Sequence, residues 1–137
     1  MSNRSLKVWR GDASGGQFET YEAEVDEGMV VLDLVHLVQA QHVNDLAVRW
    51  NCKAGKCGSC GMEVNGKPKL GCMTRLSDYP EDETLTVQPL KAFPIIKDLV
   101  SDVSWNYRQN QRITPFTPGP KPADGDYRMK QVDVDRI

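Results

Sequence analysis

The chain has 137 residues, 39% of them hydrophobic and 26% charged, with 17 Lys and Arg against 19 Asp and Glu. That length suits one domain, and a net charge of -2 is too small to suggest electrostatic binding to nucleic acid or anionic lipid. No stretch approaches the roughly 18 apolar residues of a membrane span, and Met1-Ser2-Asn3-Arg4 does not lead into the apolar core of a secretory signal. The expectation is a soluble domain facing the cytosol, with no direct membrane insertion.

Residues 5–10 and 17–25 alternate apolar and polar side chains and are predicted strands, joined by the turn-forming run Gly11-Asp12-Ala13-Ser14-Gly15-Gly16. From Val30 to about Gln41 the period changes. Val31, Leu34, Val35 and Val38 make one helical face, and Asp26 or Glu27 ahead of them suits the positive helix start. Strand, strand, helix in this order predicts a small α+β fold. Residues 47–50 read as a short buried strand and 51–61 as a loop. Residues 62–64 and 68–73 flank Asn65-Gly66, a strong hairpin signal, and 84–88 reads as the closing strand. Beyond Pro89 and Pro94 a short helix is predicted near residues 95–103. Pro115, Pro118, Pro120 and Pro122 then mark an extended, linker-like stretch with little capacity to bury a core. The expected organisation is a packed domain over 1–110 and a proline-rich tail over 111–137.

All four cysteines, Cys52, Cys57, Cys60 and Cys72, fall within 21 residues. A disulfide framework is not expected in a cytosolic protein, whose thiols are kept reduced. One metal centre explains the clustering better. The pattern Cys-x4-Cys-x2-Cys-x11-Cys carries the plant-type [2Fe–2S] ferredoxin spacing in its first three members. Soft thiolates bind iron strongly and offset its charge. A loop around a compact inorganic core also needs left-handed backbone positions and close-approaching N–H groups, which Gly55, Gly58 and Gly61 are expected to supply. Zinc more often uses two short Cys-x2-Cys knuckles, and only Cys57 and Cys60 have that form. A zinc-binding module is the alternative on the residues alone.

Among the other chemistry-bearing residues, His36 and His42 are expected in structural roles. Trp9, Trp50 and Trp105 are expected in core or interface packing rather than as redox relays. Asp98 and Asp102, four apart, are expected on one solvated helical face or at a subunit contact. No nucleophile–base constellation is visible, so substrate chemistry is not expected of this chain alone.

The run from Trp50 to Met62, Trp-Asn-Cys-Lys-Ala-Gly-Lys-Cys-Gly-Ser-Cys-Gly-Met, resembles the cluster loop of succinate dehydrogenase/fumarate reductase iron–sulfur subunits. The x11 gap to Cys72 fits too, as do Asn65-Gly66 and Thr74-Arg75-Leu76. A second block, Pro94-Ile95-Ile96-Lys97-Asp98-Leu99-Val100-Ser101-Asp102, resembles that family's proline-led segment after the ferredoxin domain. The likeness spans roughly residues 4–116 and is nearest to actinobacterial members. It implies a β-grasp, plant-type [2Fe–2S] ferredoxin-like domain. Cys52 and Cys57 would bind one iron, and Cys60 and Cys72 the other. It implies an electron-transfer subunit that carries single electrons between a flavoprotein subunit, holding FAD and acting on succinate or fumarate, and quinone. Membrane anchor subunits would be indirect partners, and the protein would sit on the cytoplasmic face of the inner membrane through the complex. Family subunits continue into a second domain with [4Fe–4S] and [3Fe–4S] clusters. No cysteine follows Cys72 here, so those clusters and the quinone site are not expected in this chain. A free-standing ferredoxin serving other reductases is the competing reading. Such carriers are typically acidic, whereas this chain is nearly neutral.

Overall fold

The computed structural model describes residues 2–115, 119–121, 123, 125 and 128–136. Its elements are β1 (Ser2–Asp12), β2 (Gly15–Val25), α1 (Val31–Gln41), β3 (Gly61–Val64), β4 (Lys67–Leu70), β5 (Leu85–Gln88), β6 (Ile95–Lys97), β7 (Val100–Ser101), α2 (Ser104–Arg112) and α3 (Gln131–Val134), with a 3-10 turn at Leu76–Asp78. The chain divides into compact units at Met1–Ser104 and Trp105–Ile137.

In the first unit the strands form one mixed sheet in the order β4-β3-β5-β1-β6-β7, with β2 also paired to β1. The β1–β5 pairing is parallel, with Leu6 opposite Leu85 and Val8 opposite Val87; the other pairings are antiparallel. Alternation along β1 turns Leu6 and Val8 inward, where they meet Met62, Val64, Leu85 and Val87 from the neighbouring strands. Helix α1 covers this face with Val31, Leu34, Val35 and Val38, all fully buried. Burying each such side chain contributes about 1.5–3 kcal/mol, so a single helix clamped across the sheet suffices for a core. This is the β-grasp arrangement.

The helix start differs from expectation in one detail. The carboxylate that answers the free N–H groups is Asp33, which accepts from the Val30 N–H at 3.0 Å, rather than Asp26 or Glu27. The N–H groups of Val31 and Leu32 donate to the carbonyls of Thr74 (2.8 Å) and Gly71 (2.9 Å), fixing the helix end against the chain that follows β4.

Two sequence expectations are overturned. Residues 47–50 form no strand and have no ladder partner, and Trp50 is 47% exposed. Residues 95–103 form no helix. They make the β6–β7 hairpin, whose turn is closed by Asp98 at φ 51. Helix formation begins only at Ser104, whose N–H donates to Asp102 Oδ1 at 2.9 Å. Asp98 and Asp102 therefore share no helical face.

In the second unit, α3 is a single short helix with no buried residue. Pro118 and Pro122 of the proline-rich stretch lie outside the described residues. Among the described residues no helix is long and apolar enough to cross a membrane.

Candidate metal centre

The x11 spacing is the length of a hairpin. Between Cys60 and Cys72 lie β3, the turn Asn65-Gly66, β4 and Gly71. Asn65 and Gly66 both take the left-handed backbone, at φ 49 and 81, which a tight two-residue turn requires. Asn65 is further fixed by strand β5: the Thr86 N–H donates to its side-chain oxygen at 2.9 Å, and its own N–H donates to the Thr86 carbonyl at 2.8 Å. With the register set at Gly61 opposite Leu70, the hairpin ends meet. Gly71 N–H donates to the Cys60 carbonyl (3.1 Å), and Cys72 N–H reaches Cys60 Sγ (3.4 Å). Both thiols are buried and pack against Leu32 of α1.

The outer pair is built differently. The N–H groups of Ala54, Lys56 and Cys57 converge on Cys52 Sγ at 3.4, 3.3 and 3.3 Å. That convergence needs the chain to turn back on itself, and left-handed residues at Lys53 (φ 53) and Gly55 (φ 69) do so. A side chain at Gly55 would also come within 2.9 Å of Met73 Cγ. Gly58, at φ 74, makes the next turn, and Ser59 N–H then donates to Cys57 Sγ at 3.4 Å. Gly61 departs from expectation. Its backbone is not left-handed and its N–H bonds the Gly58 carbonyl; its small size matters because Leu90 lies 3.1 Å from where a Cβ would stand. Lys53, a non-glycine in the left-handed region, carries no signal in the sequence.

The electrostatics divide the thiols in the same way. The Ser59 hydroxyl, helped by backbone N–H groups and the Cys52 sulfur, pulls the exposed Cys57 thiol down to about 6. Burial pushes the Cys60 thiol up, against the Cys72 N–H that favours its thiolate. Among the described residues no three His, Cys, Asp or Glu converge on one point. The thiols stand instead as an outer pair and an inner pair. A [2Fe–2S] cluster asks two cysteines of each iron, its own sulfides completing the coordination, so this donor set fits one. The zinc reading asks for four donors around a single ion.

The remaining candidates are structural. His36 meets the edge of the Trp50 ring at 5.1 Å and lies 3.4 Å from Gln39 Oε1; burial lowers its basicity. His42 bonds the Glu22 carbonyl at 2.8 Å and stacks on Tyr21. Trp50 and Trp105 are both exposed rather than core.

Residues 5–108 match the family described as a 2Fe-2S iron-sulfur cluster binding domain. The chain belongs to that family. Curated relatives include a fumarate reductase iron-sulfur subunit of Mycobacterium tuberculosis, 35% identical over 125 residues, covering 89% of this chain and 50% of that one. A succinate dehydrogenase iron-sulfur subunit of Coxiella burnetii is 33% identical over 117 residues, covering 84% and 48%. Among solved structures, a chain of the Mycobacterium smegmatis Sdh1 complex in the apo form superposes with a TM-score of 0.88 at 55% identity. That match covers 98% of this chain and 56% of the other. The β-grasp ferredoxin-like fold and the [2Fe–2S] cofactor follow from these matches. The chain spans about half the length of the curated relatives it matches.

Proposed function

We propose that this chain is the [2Fe–2S] portion of a succinate dehydrogenase/fumarate reductase iron–sulfur subunit, a one-electron carrier between a flavoprotein subunit and quinone. Cys52 and Cys57 hold one iron; Cys60 and Cys72 hold the other. The observation that carries the reading is the division of four thiols into an outer and an inner pair, the inner closed by a hairpin whose length sets the x11 gap. The cluster supplies the redox chemistry; the protein supplies burial, N–H donors to sulfur, and a docking face.

That face is suited to a partner. Trp50 and Met73, 47% and 59% exposed, flank the loop that carries the exposed Cys57. Between residues 49 and 75 stand six basic side chains, Arg49, Lys53, Lys56, Lys67, Lys69 and Arg75, against the single acid Glu63. Aromatic and Met anchors within a basic field favour a partner with an acidic rim. We assign that role to the flavoprotein subunit. Membrane anchor subunits are reached through the complex, which places the protein peripherally on the cytoplasmic face of the inner membrane. Residues 1–110 form the ferredoxin domain in this proposal, and 111–137 lead toward the second iron–sulfur domain of the family.

The test is anaerobic purification followed by metal and sulfide counts, visible absorption and EPR. About two iron and two sulfide per chain with a rhombic signal on reduction are expected for a [2Fe–2S] centre held by four cysteines. A colourless protein holding zinc would overturn the proposal.

A further inference from the structure

The stretch that delivers Cys52 to its site has no strand to lean on. Residues 46–50 have no regular secondary structure and no ladder pairing, so their backbone groups must be satisfied elsewhere. Leu46 is met from α1 and the turn after it, its carbonyl accepting from Gln39 Nε2 at 2.8 Å and its N–H donating to the Val43 carbonyl at 3.1 Å, whereas Ala47 is met by the β6–β7 hairpin, some fifty residues downstream. Ala47 N–H donates to Asp98 Oδ2 at 2.8 Å, and Leu99 N–H donates to the Ala47 carbonyl at 3.2 Å. Arg49 Nη1 donates to the Ser101 carbonyl at 3.0 Å, and Lys97 Nζ to the Asp45 carbonyl at 2.6 Å.

Asp98 is the hub of this clamp. It is 1% exposed and lies in the left-handed turn at φ 51. One carboxylate oxygen accepts from Gly11 N–H at 3.0 Å and faces Arg10 Nε at 3.1 Å. The other accepts from Ala47 and from Lys97 Nζ, both at 2.8 Å. A buried carboxylate costs free energy unless it is paired and hydrogen-bonded, and here every partner it gains belongs to a segment that it fastens. It ties the end of β1, the lead-in to Cys52 and the β6–β7 hairpin to a single point.

We propose that Asp98 is a positioning residue for the cluster: by fixing Ala47 it sets the path of residues 47–51, and hence the placement of Cys52 and the Trp50–Lys53 contact beside it. Lys53 Nζ lies 4.6 Å from the Trp50 ring centroid, so a shifted lead-in moves a positive charge along with a ligand. The inference rests on the ligand assignment proposed above.

The test uses the full 137-residue chain. Asp98→Asn keeps the size and the tolerance of a left-handed turn, while removing the charge and one acceptor. It is compared with Val25→Ala, a core truncation on β2, at matched global stability. Ala47 N–H is expected to lose hydrogen-exchange protection in Asp98→Asn, including in the cluster-free chain. Iron release to a ferrous chelator is expected to quicken by about tenfold or more, the scale on which outer-shell partners act, and the reduction midpoint to shift. Val25→Ala is expected to change none of these. Lys97→Met, altered at a half-exposed side chain, should fold and give a smaller effect in the same direction. If Ala47 protection, iron release and midpoint in Asp98→Asn match those in Val25→Ala, the inference falls while the ligand assignment stands. Wild-type protein that binds no iron would instead overturn the ligand assignment, and Ala47 protection in that chain would still decide the clamp.

Discussion

Cys72 donates its backbone N–H to the sulfur of Cys60 across the open end of the β3–β4 hairpin, 3.4 Å apart, and both residues are buried. The inner pair is therefore part of the core as well as part of the site, whereas Cys57 is exposed. The two kinds of cysteine should respond differently to the same substitution. Cys72→Ser places a hydroxyl where a thiol packs on Leu32, and is expected to destabilise even the cluster-free domain by about 1–2 kcal/mol, the cost of a poorly satisfied buried polar group. Cys57→Ser should leave that stability within about 0.5 kcal/mol, as surface changes do. Both should lose the cluster. Urea denaturation of the metal-free variants and iron counts on the folded ones check the two statements separately; equal stabilities would contradict the inner–outer distinction.

The hairpin turn yields a second ordering. Gly66→Ala asks an L-residue to hold φ 81 with nothing crowding its Cβ, so strain alone should cost about 1 kcal/mol. Asn65→Ala imposes a similar strain at φ 49 and also removes the acceptor of the Thr86 N–H, adding about 1 kcal/mol more. Asn65→Ala is thus expected to be the more destabilising of the two by chemical denaturation, and to loosen iron retention further because the hairpin sets where Cys72 meets Cys60. The reverse order would show that the turn, not its tie to β5, dominates.

Acid should act through Asp98. Burial pushes its carboxyl up, but the Ala47 N–H, the Lys97 ammonium, the Gly11 N–H and the Arg10 guanidinium outweigh burial and hold it below the ordinary Asp value. A carboxyl lowered in the folded state contributes stability above its unfolded value of about 3.9, and that contribution disappears as pH falls through the folded value. The urea midpoint of the wild-type chain should therefore drop steeply on going from about pH 5 to pH 3, and that of Asp98→Asn more gently. Parallel acid limbs would remove Asp98 from the explanation.

The site is far more legible in the sequence than the clamp that supports it. Cys60 and Cys72 are separated by one hairpin with an Asn-Gly turn, so the spacing encodes the geometry directly. The helix at Val31–Gln41 follows from an apolar face of period 3.6 with no competing signal. The β6–β7 hairpin reads as a helix because Ile95, Ile96, Leu99 and Val100 are spaced as a helical face would be. The deciding feature is one left-handed residue, and Asp at that position is a weak cue beside four aliphatics. The lead-in at residues 46–50 misleads for a related reason: it is held by contacts to distant residues, the Ala47 N–H to the Asp98 carboxylate and the Arg49 side chain to the Ser101 carbonyl, rather than by a neighbouring strand, and no local pattern records that. Likewise, the exposure of Trp50 depends on where the loop edge falls.

The reduction potential is the property on which the proposed role depends most directly. An oxidised [2Fe–2S] centre with four thiolate ligands carries a formal charge of about −2, and reduction adds one negative charge. Six basic side chains against one acid between residues 49 and 75 favour the reduced form, as do the three N–H groups aimed at Cys52 Sγ. Burial under a partner opposes them by disfavouring the more charged state, while solvent and salt screen the exposed lysines. The N–H donors sit within hydrogen-bond distance of the sulfur, where screening is weakest, so the balance should lie with a midpoint well above the roughly −400 mV of plant-type ferredoxins. Lys53 and Lys56 are exposed and flank Cys52 and Cys57 in sequence. Replacing both with Gln should lower the midpoint, more at low ionic strength than at high. Redox titration followed by EPR measures this. A midpoint near the plant-type value in the assembled complex, or one indifferent to the two lysines at low salt, would revive the free-ferredoxin reading.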